Sequence, residues 1–204
     1  MLKALIAFGG MDVREDQLID ALWPDAEGDT ARISFKTTLH RLRQLLARDD
    51  AILHREGRVS LDRRYCWTDV WAFEELLDSA EQASLEKAVA LYRGHFLADD
   101  EDKPWAISTR ELLKRKFVLA VSKQGERAED KKLWIKATAA YERGLEIDDL
   151  AEEFYQQLMA CYLKLGKRAD AIKVYKRCKS VLAANLGIEP SEETEGIYKT
   201  IAGQ

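Results

Sequence analysis

Ala137 and Tyr141 return as Ala171 and Tyr175, so the phrase A-x-x-x-Y recurs after 34 residues. A period of that length is one pair of antiparallel helices. Such a pair leaves an apolar face uncovered, so successive pairs must stack on one another. Tyr155, Leu158, Tyr162 and Gly166 stand where the first helix of the later pair needs its aromatic residues and its turn glycine. Asp149 occupies a position where such repeats often carry proline. The apolar spacing on either side predicts helices over 69–83, 85–93 (closed by Gly94), 105–126, 131–145, 151–165, 168–184 and 191–202.

The first 65 residues have another rhythm. An apolar helix over 2–8 is stopped by Gly9-Gly10, and a short amphipathic helix over 14–23 gathers Leu18, Ile19, Leu22 and Trp23 on one face ahead of Pro24. After a polar loop, Ala31, Phe35, Leu39, Leu42 and Leu46 form one apolar stripe and predict a third helix over 30–48. Two alternating runs, Ile52–Arg55 and Arg58–Leu61, flank Glu56-Gly57 and predict a β-hairpin. Helix, helix, helix, hairpin is the order of a winged helix. The expected fold is therefore mainly α: a winged helix-turn-helix over residues 1–65, then a TPR-like α-helical domain over 66–204.

Charge separates the same regions. The chain has a formal net charge of −4, yet residues 30–65 hold nine basic and four acidic side chains, while 1–29 hold two basic and seven acidic ones. Burying the Phe35 stripe turns Ile33, Thr37, His40, Arg41, Gln44 and Arg48 outward, with Arg32, Lys36 and Arg43 at the flanks. A helix fits the major groove of DNA. There arginine bonds twice to guanine, glutamine pairs with adenine and threonine meets either edge. Flanking lysine and arginine suit phosphates, which set position and affinity rather than sequence. Thr30, at the expected amino end of this helix, points to a phosphate cap. Arg55 and Arg58 bracket the hairpin turn and extend the interface as a wing. His54 reads as a surface histidine without a role.

Other chemistries find little support. No apolar run approaches the ~18 residues that span a bilayer, and the apolar start is too short for a secretory signal, so a cytoplasmic protein without membrane contact is expected. Cys66, Cys161 and Cys178 form no C-x-x-C pair, and the latter two fall on apolar helix faces as small core residues. The five tryptophans read as core packing. Gly9-Gly10 lacks the lysine–serine pair of a phosphate loop, and Asp99–Asp102 lacks the alternating oxygens of a calcium loop. No catalytic triad, cofactor motif or metal-ligand spacing emerges, so an enzyme is not expected.

Several stretches resemble a known family. DQLIDALWPD and TARISFKTTLHRLRQLL are similar to the second and recognition helices of OmpR-like winged-helix domains, with Arg41-Leu42-Arg43 the most recognisable piece. TDVWAFEELL resembles the join that follows. ALYRGHFL and the run ending LGIEPSEET closely resemble the bacterial transcriptional activator domain of SARP and AfsR-like regulators. The resemblance implies double-stranded DNA as ligand, Arg41 and Arg43 at DNA, and a helical domain serving dimerisation or activation, with RNA polymerase and a second copy as candidate partners. It also puts Thr38 at a DNA-contacting position, whereas the helical wheel favours Thr37. Family members normally begin with an antiparallel sheet, and this chain starts inside the first helix, so a piece of a larger regulator is expected. A rival expectation is a protein-binding scaffold whose winged helix contacts no DNA.

Overall fold

The computed structural model describes residues 1–79 and 81–203. They divide into two compact units, Met1–Asp78 with Gly94–Leu113 and Ser79–Arg93 with Lys114–Gln204.

In the first unit three helices, α1 (Leu2–Ala7), α2 (Glu15–Leu22) and α3 (Gly28–Leu45), surround a small sheet. The sheet is built from β1 (Val13–Arg14), β2 (Ile52–Arg55) and β3 (Arg58–Leu61), in the order β1-β3-β2 with both pairings antiparallel. The hairpin forms as the sequence predicts. Glu56 and Gly57 both take positive φ, 49° and 70°, the type I′ turn whose twist matches that of paired strands. Strand β1 is an addition: two residues are too few to show alternation, and only pairing with β3 makes them a strand. Leu5, Leu18, Phe35, Ile52 and Val59 are fully buried at the centre.

This unit runs past residue 65 because its core needs more cover. A fourth helix, α4 (Asp69–Asp78), brings Trp71 into the same core, where the indole N–H donates to the Gly9 carbonyl at 3.0 Å. Gly9 and Gly10 close α1 in a Schellman turn, their N–H groups donating to Ile6 and Leu5 at 2.9 and 2.8 Å. Gly10 has φ 74°, and a Cβ there would meet the Trp71 ring at 2.6 Å, so glycine is required twice over. The Thr109 hydroxyl donates to the Ala7 carbonyl at 2.5 Å, and the Arg110 guanidinium donates to the carbonyls of Phe96, Leu97 and Asp100. Just after β3, the Arg64 side chain clamps both carboxylate oxygens of Asp62. The hydrogen-bonded guanidinium pulls the Asp62 carboxyl from an ordinary 3.8 to about 2.

Helix α4 stops at Asp78, short of the expected 83, and a separate helix, α5 (Gln82–Leu91), begins after it. The Ser79 hydroxyl accepts the Glu81 N–H at 3.3 Å, a local bond that competes with helix continuation. Ala80, within the expected helix, lies outside the described residues.

Helix α6 (Pro104–Asp130) gives its first ten residues to the first unit and the rest to the second. The second unit continues with α7 (Trp134–Leu145), α8 (Glu152–Lys164), α9 (Arg168–Leu186) and α10 (Glu192–Ala202). Helix α7 packs on α8, α8 on α9, and α10 against both α8 and α9. The 34-residue period is written into the backbone: α6 ends at Asp130 and α8 at Lys164, while α7 starts at Trp134 and α9 at Arg168. Between them Lys132 and Gly166 take the same left-handed conformation, φ 56° and 71°. The next N–H in each case, of Leu133 and Lys167, donates five residues back at 2.8 Å. Ala137, Tyr141, Ala171 and Tyr175 are all buried, and the two tyrosine hydroxyls donate to Glu129 and Glu195. Close approach explains Gly144 too: a Cβ there would meet Phe154 at 2.4 Å.

The phrase LGIEPSEET is a structural joint. Gly187 ends α9 with φ 67°, Pro190 is buried, and Ser191 caps α10 while the Glu152 carboxylate accepts from the Ser191 N–H and hydroxyl, both at 2.7 Å. Cys161 and Cys178 are buried, and burial pushes both thiols up to about 12. No helix among the described residues is long and apolar enough to cross a membrane.

Two tests follow from these contacts. Lys132 pays a steric cost that its repeat partner Gly166 does not, so Lys132→Gly stabilises the chain by about 0.5–1 kcal/mol in urea unfolding. Because the folded-state pKa of Asp62 is depressed, the stability it contributes is present above pH 4 and lost as pH falls through about 2. Asp62→Asn therefore lowers the melting temperature at pH 7, and the gap from the unaltered chain closes as both are titrated down to pH 2.

Candidate nucleic-acid interface

Helix α3 owes its orientation to Ala31, Phe35 and Leu39, all buried against the first core. That leaves Arg32, Ile33, Lys36, Thr37, His40, Arg41 and Gln44 exposed along the opposite face. Thr38 is only half-exposed, so Thr37 is the threonine that faces solvent. Ile33 is 65% exposed in the middle of this polar face, a large apolar group presented to water. Arg32, Lys36 and Arg41 have no ion-pair or hydrogen-bond partner among the described residues.

Several other cations of the region are engaged. The Arg43 guanidinium turns back under the helix and donates to the Ile52 carbonyl through Nε at 3.1 Å and Nη2 at 2.7 Å, tying α3 to the first residue of β2. Arg48 lies over the Tyr65 ring at 4.3 Å and Arg63 over Trp71 at 4.6 Å. Arg58 donates to the Asp12 carboxylate at 2.9 Å. Arg55, at the end of β2, is exposed and unpaired among the described residues.

Two expectations need amending. His54 is not a bystander: its side chain is 25% exposed, Nε2 lies 2.6 Å from a Glu15 carboxylate oxygen, and its ring meets Phe35 edge-on at 5.5 Å between centroids. It joins the start of α2 to the sheet beside the buried stripe of α3. Thr30 does not begin α3, which starts two residues earlier at Gly28 and carries Asp29 in its first turn. A carboxylate thus sits where a phosphate cap was expected, and it disfavours an anion there.

Sequence reading missed β1. Its pairing sets Arg14 opposite Arg58, which in turn lies opposite Arg55, so three arginines line up across the sheet. Only the register, which no local pattern discloses, brings Arg14 to this place.

The model for the bacterial transcriptional activator domain matches residues 68–202. The chain belongs to that family. Over 219 residues it is 25% identical to the regulatory protein AfsR of Streptomyces griseus, covering 98% of this chain and 22% of AfsR. Over 224 residues it is 26% identical to the transcriptional regulatory protein MoaR1 of Mycobacterium tuberculosis, covering all of this chain and 71% of MoaR1. The chain thus spans about a fifth of the AfsR relative. Its fold is similar to that of Mycobacterium tuberculosis EmbR, solved in complex with a low affinity phosphopeptide, with a TM-score of 0.68 at 22% identity over all of this chain and 60% of EmbR. The match in this activator-domain chain begins at residue 68, so the α3 face lies outside the span that defines the family.

The Arg43 tie separates bracing from charge. Arg43→Met is expected to destabilise the chain by about 1–3 kcal/mol in urea unfolding, the range for a lost hydrogen bond from a charged donor to a buried acceptor. Lys36→Ala, on the open face, stays within about 0.5 kcal/mol of the unaltered chain.

Proposed function

We propose that this chain is the DNA-reading and activating part of a transcriptional regulator, with α3 as the recognition helix in the major groove. The observation that carries the reading is the α3 face: three unpaired cations interleaved with Thr37, His40 and Gln44, turned to solvent by a buried apolar stripe. Unpaired surface cations gain nothing for the fold itself, whereas this mixture of forks and amides matches the edges of base pairs.

Arg41 and Gln44 are the base-reading pair at the centre of the face, with Thr37 and His40 beside them. Arg32 and Lys36 take phosphates, Arg55 and Arg58 reach the backbone or minor groove as the wing, and Arg43 holds helix and wing in register. The reading module is centred on residues 1–65, with residues 66–78 and 94–113 bracing it. The second unit, Ser79–Arg93 with Lys114–Gln204, serves partner contact or dimerisation, with RNA polymerase as the proposed partner class.

The test is selection of bound duplexes from a random pool, followed by titration of the recovered site across a salt series. Arg41→Ala is expected to lose about 1–3 kcal/mol and to relax base preference at one position. Lys36→Ala should weaken all duplexes alike and flatten the salt slope by about 0.9. No enriched sequence, together with salt-independent or absent binding, would remove the recognition helix and leave a protein-docking module.

A further inference from the structure

The sheet of the first unit has one face in the core and one in water. Val13, Val59 and His54 lie in register on the inner side, with both valines buried. Side chains alternate along a strand, so the next rung, Arg14–Arg58–Arg55, faces outward, and all three residues are exposed. Like charges directly opposite each other destabilise a sheet. Here three stand side by side across about 10 Å, two strand spacings.

Nearby acids do not cancel the row. Asp12 pairs with Arg58 alone, Glu15 bonds to His54, Glu56 sits in the exposed turn without an ion pair among the described residues, and Asp16 lies one residue further into α2. Arg14 and Arg55 have no ion-pair partner among the described residues. The Arg14 backbone is fixed on both sides: Asp12 N–H donates to the Ser60 hydroxyl and Glu15 N–H to the Gly57 carbonyl, both at 2.7 Å.

We propose that this row is a phosphate clamp for the DNA backbone and that Arg14, on the strand before α2, is its third member. The proposal rests on the DNA-binding reading above and extends the interface from the hairpin onto β1. A fixed row of three guanidiniums, two of them unpaired, offers forked donors to successive phosphates, and the ligand that relieves their repulsion is a polyanion with closely spaced charges. The clamp carries no sequence information. It sets where the duplex lies while α3 reads it.

The experiment uses the full chain and two labelled duplexes, the selected site and a scrambled one, titrated from about 50 to 300 mM salt. Arg14→Gln and Arg55→Gln are each expected to reduce the salt slope by about 0.9 on both duplexes, with affinity falling roughly five- to ten-fold at 0.1 M salt. Their melting temperatures should be equal to or above that of the unaltered chain. Arg14→Lys, which keeps the charge, restores the slope, and Lys173→Gln on α9 controls for net charge. An Arg14→Gln slope matching that of Lys173→Gln, while Arg41→Ala still loses base preference, overturns the clamp and leaves the recognition helix standing. Loss of affinity accompanied by a lowered melting temperature, and not rescued by Arg14→Lys, overturns it in favour of a bracing role. Absence of salt-dependent binding by the unaltered chain overturns both readings together.

Discussion

Burial of one helical stripe governs the first unit. Ala31, Phe35 and Leu39 recur every four residues, and removing such side chains from water supplies about 1.5–3 kcal/mol for each of the larger two. With that stripe fixed against Leu5, Leu18, Ile52 and Val59, the rotation of α3 is settled and so is the set of side chains that face out. The cationic face is therefore a consequence of core packing. It needs no interaction of its own to hold it open.

Rotation alone does not place a helix against DNA, because its tilt relative to the wing matters as well. Two half-buried polar ties supply that second constraint. Arg43 reaches from the last turn of α3 to the carboxyl side of Ile52, and His54 links β2 to Glu15 at the start of α2 while resting its ring edge-on against Phe35. Both ties end on β2, so one strand carries the positions of α3, of α2 and of the hairpin. Apolar contacts tolerate sliding, whereas hydrogen bonds to fixed carbonyls and carboxylates do not. The mixed composition of this corner fits a surface that has to present two elements at a set separation.

What the sequence discloses and what it hides divides along local and non-local lines. The α3 stripe, the hairpin around Glu56-Gly57 and the 34-residue repeat are periodic, and each is found in place, except that the stripe is buried only from Ala31 to Leu39, with Leu42 half-buried and Leu46 exposed beyond the helix end. The repeat even fixes a backbone detail, since Lys132 stands in the left-handed turn that Gly166 fills one period later. Boundaries set by single capping events escaped. Helix α3 stops at Leu45 because Ala47 turns left-handed with φ 52°, and it starts at Gly28 rather than at Thr30. Strand β1 escaped for another reason: Val13-Arg14 becomes a strand only through Arg58 and Val59 of β3, far along the chain, so the Arg14–Arg58–Arg55 row has no signature in either segment alone. Arg43 is the converse case, a residue whose type was legible and whose direction was not. Its position on the wheel is flanking, and only the nearby Ile52 carbonyl decides that it folds inward.

Net charge now takes on meaning. A chain of formal charge −4 that concentrates its basic excess in residues 30–65 carries its acid excess everywhere else. On the DNA-binding reading proposed above, a duplex would be repelled by most of the sequence and attracted by one segment, so the encounter would be oriented before any base is read. The turn before β1 and helix α2 sharpen this effect. The acidic run from Asp12 to Asp20 borders the cationic segment in the fold, and its members Asp12 and Glu15 are spent on Arg58 and His54, where they organise the sheet without covering Arg14, Arg55 or the α3 face. The arrangement trades total affinity for direction. On that reading the phosphate row would set where the duplex lies, and discrimination would fall on the forks and amides of Arg41 and Gln44.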